Sequence, residues 1–209
     1  IDADGHVVTN NHVVAGAEKI EVMLKDGKVY QATLVGRDPK TDLALLKVKA
    51  DRAFPFVSFG SSAAARVGDW VIALGNPFGL GHTATTGIVS ARGRDIGAGP
   101  YDDFLQIDAA INKGNSGGPT FNARGEVIGV NTAIISPSGA SAGIGFAVPS
   151  DMAKGVIAQL KATGKVARGW LGVNIQGVTD DLAAGLGMDK PEGALVAGVT
   201  EDSPAAKAG

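Results

Sequence analysis

The 209 residues carry 21 acidic against 19 basic side chains, a net charge of −2, with 44% apolar and 19% charged residues. That balance is the one of an ordinary globule and gives no electrostatic reason to bind nucleic acid. No window holds the ~20 unbroken apolar residues that span a bilayer, and without cysteine neither a disulfide nor a thiolate nucleophile can form.

The 31 glycines, against ~15 at ordinary usage, fall between short Val/Ile/Leu runs and punctuate many strands. The chain enters strand-like sequence almost at once, with no leader-like succession at Ile1. An apolar strand through Val7 and Val8 then ends in the polar turn Asn10-Asn11-His12. Residues 20–35 alternate apolar and polar around Asp26-Gly27, which predicts a hairpin. Further strands are predicted at 43–48, 70–75, 85–91, 104–108, 127–132 and 143–148, bounded by Gly, Pro, Asn and Asp. Short strands at regular intervals imply a barrel or sandwich. Ser150 is placed to cap a helix with Met152, Val156, Ile157 and Leu160 on one face, closing at Gly164. Beyond the basic connector 165–168, a strand at 169–175 opens a second unit. It continues with a helix at 180–186, a strand at 194–199, and a helix capped by Ser203 with Pro204 in its first turn. The expected domains are 1–164 and 165–209, and the second is too short for a typical domain of ~100 residues.

The densest chemical signal is Asn112-Lys113-Gly114-Asn115-Ser116-Gly117-Gly118-Pro119, one hydroxyl among turn-forming residues. Glycines let the backbone fold tightly enough to aim N–H groups at a point beside that hydroxyl. Ser116 would attack a carbonyl while the N–H groups of Gly114 and Ser116 hold the developing oxyanion, each such donor being worth ~3 kcal/mol. A Gly-rich loop with an incidental serine is the competing reading.

A serine needs a base, and His12, at the end of a strand, is the candidate. His6 and His82 read as exposed loop residues. Asp42 stands just before an apolar strand, where an imidazole N–H would satisfy its carboxylate. Taken alone it is a turn aspartate, with Asp38, Asp69 and Asp108 as equal rivals. The conjunction decides: His12, Asp42, Ser116 is the chain order of chymotrypsin-like enzymes, whereas α/β-hydrolases run Ser, Asp, His. Together with the strand pattern, this order disfavours an esterase of the α/β-hydrolase type.

Four motifs, Thr9-Asn10-Asn11-His12-Val13-Val14, Asp38-Pro39-Lys40-Thr41-Asp42-Leu43-Ala44, Gly75-Asn76-Pro77-Phe78-Gly79 and Gly114-Asn115-Ser116-Gly117-Gly118-Pro119, carry a resemblance that runs along the whole chain. The sequence resembles the Do-like, HtrA-type (DegP- or DegQ-like) serine endopeptidases. The resemblance implies an all-β, chymotrypsin-like double six-stranded β-barrel with a C-terminal helix, followed by the first part of a PDZ domain. It implies His12 as general base, Asp42 as its orienting partner, Ser116 as nucleophile, and an oxyanion hole from Gly114, Asn115 and Ser116, working without metal or cofactor. Substrate would run along Thr132, Ala133, Ile134, Ile135 and Ser136, with Ile111 and Ile144 shaping an apolar primary pocket. With no acidic residue in these segments, the expectation is cleavage after small or β-branched residues.

In the second unit, Leu171, Gly172, Val173, Asn174 and Ile175 would take up a peptide C-terminus. The family further implies unfolded or misfolded protein substrates, no use of ATP, a homotrimer or higher homo-oligomer in the full-length protein, and the bacterial periplasm. Two departures stand out. The Gly-Ser-Gly-Phe strand that the family places before Ile1 is absent, and Asn115 stands where many digestive relatives carry an aspartate that pairs with a freshly cut N-terminus. Control would then pass through the loops 92–103, 112–116 and 134–143. A binder of unfolded chains with its protease at rest is the alternative function.

Overall fold

A computed structural model describes residues 1–79, 81–136 and 139–209. The first part of the chain lays down β1 (His6–Asn10), the single helical turn α1 (Asn11–Val14), β2 (Ile20–Met23), β3 (Val29–Asp38) and β4 (Leu43–Val48). The strands form an antiparallel sheet in the order β1-β4-β3-β2. Burial explains that order. The run Leu43-Ala44-Leu45-Leu46 is buried without a break and takes an inner position, while β2 alternates between half-buried and exposed at the edge.

Six more strands, β5 (Trp70–Gly75), β6 (Thr83–Arg94), β7 (Phe104–Ile107), β8 (Pro119–Asn122), β9 (Val127–Ile134) and β10 (Gly145–Pro149), close into a barrel. The order around it is β10-β7-β6-β5-β8-β9. Inward residues such as Val71, Ala73, Val89, Leu105, Ile107 and Ile128 fill it. Helix α2 (Ser150–Thr163) places Ala153, Val156, Ile157 and Leu160 on Leu43 and Leu45 of the sheet and on Val130, Phe146 and Val148 of the barrel. One apolar core therefore fixes sheet and barrel against each other, at roughly 1.5–3 kcal/mol per fully buried aliphatic side chain.

The architecture is all-β as expected, with one correction: among the described residues the barrel is closed, but its companion is a four-stranded sheet with open edges at β1 and β2. Several local expectations also shift. The four-residue β8, opening on a proline, was too short to signal itself. The strand expected at 169–175 starts at Val173. Ser150 does not cap its helix, because β10 runs straight into α2 with Pro149 at the cap; its hydroxyl instead donates to the Gly60 carbonyl at 2.9 Å. Gly164, in left-handed geometry, does close the helix.

Residues Ile1–Val166 make one compact unit and Ala167–Gly209 another. The second holds β11 (Val173–Gly177), α3 (Asp180–Gly185), β12 (Ala194–Val199) and α4 (Pro204–Ala208). β11 and β12 pair antiparallel, and the helices are capped by Thr179, accepting from Leu182 N–H, and by Ser203, accepting from Ala206 N–H.

Candidate active site

His12 sits on α1, one turn of helix at the end of β1, rather than in the open turn the sequence suggests. Its partner is fixed by an unusual backbone. Asp42, on the tight link from β3 to β4, has φ of +54°, a left-handed geometry that short polar residues tolerate best after glycine. Its carbonyl accepts from Asn10 Nδ2 and from Asn11 N–H, both at 3.0 Å. Its carboxylate accepts from His12 N–H at 2.9 Å, from His12 Nδ1 at 2.6 Å and from the Thr132 hydroxyl at 2.7 Å. Because a carboxylate only accepts, the imidazole proton in the neutral ring lies on Nδ1, and Nε2 is left as the basic nitrogen.

The rival aspartates are spent elsewhere. Asp38 is buried and accepts from Thr41 Oγ1 at 2.5 Å. Asp108 accepts from Ile88 N–H at 2.6 Å. Asp69 accepts from the Arg66 N–H and guanidinium, which together hold its carboxyl below the usual range. His6 is not an exposed loop residue: it lies on β1 with its Nδ1 2.8 Å from Asp2. Burial pushes the Asp2 pKa up, yet the hydrogen bonds from Lys161 and His6 outweigh burial and hold that carboxyl well below the ordinary carboxylate range. Asp2, Asp4 and His6 are the one group among the described residues whose donor atoms, all within 4.8 Å of one another, match metal-ligand spacing. The Lys161 ammonium, 2.7 Å from Asp2, already supplies the positive charge there.

The loop that carries Ser116 is shaped by close approach. Gly114 has φ of +102°, and a Cβ there would come within 2.3 Å of the Asn76 carbonyl oxygen; at Gly117 it would meet Thr9 Oγ1, also at 2.3 Å. The loop is thus pressed between the end of β5 and the end of β1, and bonds from Asn76 N–H to Gly114 O (3.2 Å) and from Phe78 N–H to Lys113 O (3.1 Å) tie it down. The N–H groups of Gly114 and Ser116 find no protein acceptor among the described residues, as an oxyanion hole requires. Asn115 is a correction: its N–H closes a turn onto Asn112 O at 3.0 Å and is not available, while its side chain is buried and its Oδ1 has no partner among the described residues.

The Ser116 hydroxyl donates to the Thr132 carbonyl at 3.3 Å, and no hydrogen bond joins it to His12 among the described residues. Thr132 therefore touches both sides of the site, through its carbonyl to Ser116 and its hydroxyl to Asp42. The sequence places it only on a strand lining the substrate path, since periodicity says nothing about what a hydroxyl at the strand's end can reach.

A cleft of about 320 Å³ opens at Ser116, lined by Ile111, Lys113, Thr132, Ala133, Ile134 and Ser136 among others. Ile135 and Ile144, expected in the substrate path, do not line it. They lie beside it, half exposed, with the Ile135 N–H donating to the Ile144 carbonyl at 3.1 Å. In the second unit, Leu171 and Gly172 lead into β11, their carbonyls accepting from Ala205 N–H (3.0 Å) and Thr200 N–H (2.8 Å), and Val173, Asn174 and Ile175 pair with β12.

Residues 1–130 match the family model of the trypsin-like peptidase domain. The chain is 63% identical over its whole length to a protein of Brucella suis named as a probable periplasmic serine endoprotease, DegP-like, of which it covers 41%. It is 58% identical to a protein of the same name from Rhizobium meliloti, covering 42% of it. The chain thus spans about two fifths of the length of these curated relatives. Among solved structures, the HtrA-type protease AlgW with a tripeptide superposes with a TM-score of 0.90 at 50% identity, covering 99% of this chain and 69% of that one. AlgW with a decapeptide gives 0.86, also at 50% identity, covering 100% of this chain and 64% of that one.

Proposed function

From the membership of this chain in the trypsin-like peptidase family, in its HtrA-type, DegP-like branch, we propose that it is the catalytic region of a serine endopeptidase. The observation that carries the reading is the His12–Asp42 bond of 2.6 Å placed across from a glycine-shaped serine loop with two unspent N–H donors. Catalysis begins when the Ser116 hydroxyl turns from Thr132 O to His12 Nε2. His12 takes its proton as Ser116 Oγ attacks the peptide carbonyl, and Asp42 holds the Nδ1 proton and stabilises the imidazolium. The N–H groups of Gly114 and Ser116 receive the oxyanion. His12 then protonates the departing amine, and a water molecule activated by the same nitrogen hydrolyses the acyl-enzyme.

The substrates of this reading are unfolded or misfolded proteins, cut without ATP in protein quality control, with cleavage after small or β-branched residues beside Ile111. The periplasmic setting follows the names of the relatives. The second unit would be the start of a PDZ domain that takes peptide C-termini at Leu171, Gly172, Val173, Asn174 and Ile175, and the full-length protein a homotrimer or larger homo-oligomer. The Ser116 hydroxyl facing Thr132 rather than His12 favours a second reading, in which the protein at rest holds unfolded chains without cutting them.

Incubating the full-length protein and its Ser116→Ala variant with an unfolded protein separates the two. The peptidase reading expects cleavage to fall by at least 10³-fold in the variant, and cleavage that survives the substitution overturns it. Suppressed aggregation without cleavage in both forms supports the holding reading.

A further inference from the structure

The peptidase chemistry leaves Lys113 without a task. It directly precedes Gly114, its side chain is exposed, and its ammonium joins no ion pair or hydrogen bond among the described residues. Its backbone is fixed by the bond from Phe78 N–H to its carbonyl. Of the described residues lining the cleft at Ser116, Lys113 alone is charged. A cation that is in no ion pair, in a cleft with low-dielectric walls, focuses a positive potential along it; the Asp42 carboxylate behind Thr132 is already taken up by His12 and the Thr132 hydroxyl.

Reach decides where that potential acts. The Lys113 Cα is about 3.8 Å from the Cα of the residue that would hold the oxyanion, and a four-carbon stem carries the ammonium some 6 Å further. An extended peptide advances about 3.3 Å per residue, so the ammonium covers about two residues on either side of the bond to be cut. We propose that Lys113 makes this cleft select peptides with an acidic side chain within two residues of the scissile bond and reject basic ones there, alongside the apolar preference set by Ile111. This inference rests on the peptidase reading and gives it a charge specificity.

The test uses two peptides with valine before the scissile bond, one flanked by Glu and one by Lys, cut by the full-length protein and by its Lys113→Met and Lys113→Glu variants. The expected kcat/KM ratio, Glu over Lys, is about tenfold for the natural residue, near one for K113M and inverted for K113E. At about 1 M salt, where the screening length is about 3 Å, the ratio collapses. The same ratio in all three proteins overturns the proposal. Binding of the two peptides to each protein carrying Ser116→Ala as well, read by fluorescence anisotropy, gives the ratio without turnover. If no peptide is cut, the peptidase reading fails, and the binding ratio still decides on Lys113: inversion in K113E supports the charge preference and an unchanged ratio overturns it.

Discussion

Five hydrogen bonds converge on Asp42, three on the carboxylate and two on the carbonyl, and two of the five come from His12. Ser116 has its hydroxyl on a backbone carbonyl, and its loop is held by steric fit and by backbone bonds to Asn76 and Phe78 on one side and to Asn131 on the other, with the Asn112 side chain accepting from Ser141 N–H. The base side is thus assembled whether or not a substrate is present. On the Ser116 side the N–H groups of Gly114 and Ser116 are unspent among the described residues, as the proposed oxyanion hole requires. Preorganised donors of this kind favour the transition state over the bound substrate, which is where catalytic advantage arises.

The two sides should therefore break differently. Gly114→Ala strikes the side held by fit: the added methyl would lie 2.3 Å from the Asn76 oxygen, on a residue with φ of +102°, so residue 114 must move and its N–H with it. The expected result is a fall in kcat of about 10²–10³, the cost of one oxyanion donor, with thermal melting showing the barrel still folded. Unchanged kcat would mean that the Gly114 N–H is not a donor to the oxyanion.

Thr132→Val strikes the residue common to both sides. It removes the 2.7 Å bond to Asp42 and leaves the carbonyl that receives Ser116. A lost hydrogen bond to a carboxylate is worth roughly 1.5–3 kcal/mol. With His12 N–H and Nδ1 still holding Asp42, about a tenfold drop in kcat is expected, KM little changed, and Thr132→Ser restoring the rate. A loss of thermal stability with kcat intact would make Thr132 a packing residue only.

What the sequence made legible follows the same division. Chain order and short motifs single out His12, Asp42 and Ser116, because the proposed covalent mechanism needs those residue types and local glycines announce the loop; the structure brings His12 and Asp42 together. The apolar run of β4 and the alternation of β2 announce the strands, since burial writes itself as periodicity. Geometry created by distant contacts is not written locally. Thr132 meets Asp42 across 90 residues, the Asn115 N–H is consumed by a turn, and Ile135 stands between two residues that line the cleft yet does not line it. Asp42 separates from Asp38 only through its backbone φ and its neighbours, features that composition does not carry.

The smallest expected effect lies away from both sides, where the segment before β5 meets α2. Asp151 accepts from Lys154, from the Ala63 N–H and from the Ser62 and Ser61 hydroxyls, and these bonds, Lys154 first, outweigh burial and hold its carboxyl well below the ordinary range. A carboxyl whose pKa is depressed by folding stabilises the fold above its unfolded pKa, about 3.9, and loses that contribution as pH falls through the folded value. Because the group is partly exposed, the contribution is modest. Asp151→Asn is expected to lower the melting temperature by about 2 °C at pH 7, with the gap between the two proteins narrowing below about pH 4. Peptidase activity per folded molecule should not change, since neither Asp42 nor the Ser116 loop bonds to this segment among the described residues. A gap that widens in acid would show that the Asp151 carboxylate opposes the fold. A loss of activity at constant stability would mean that the start of α2 is coupled to the catalytic residues after all.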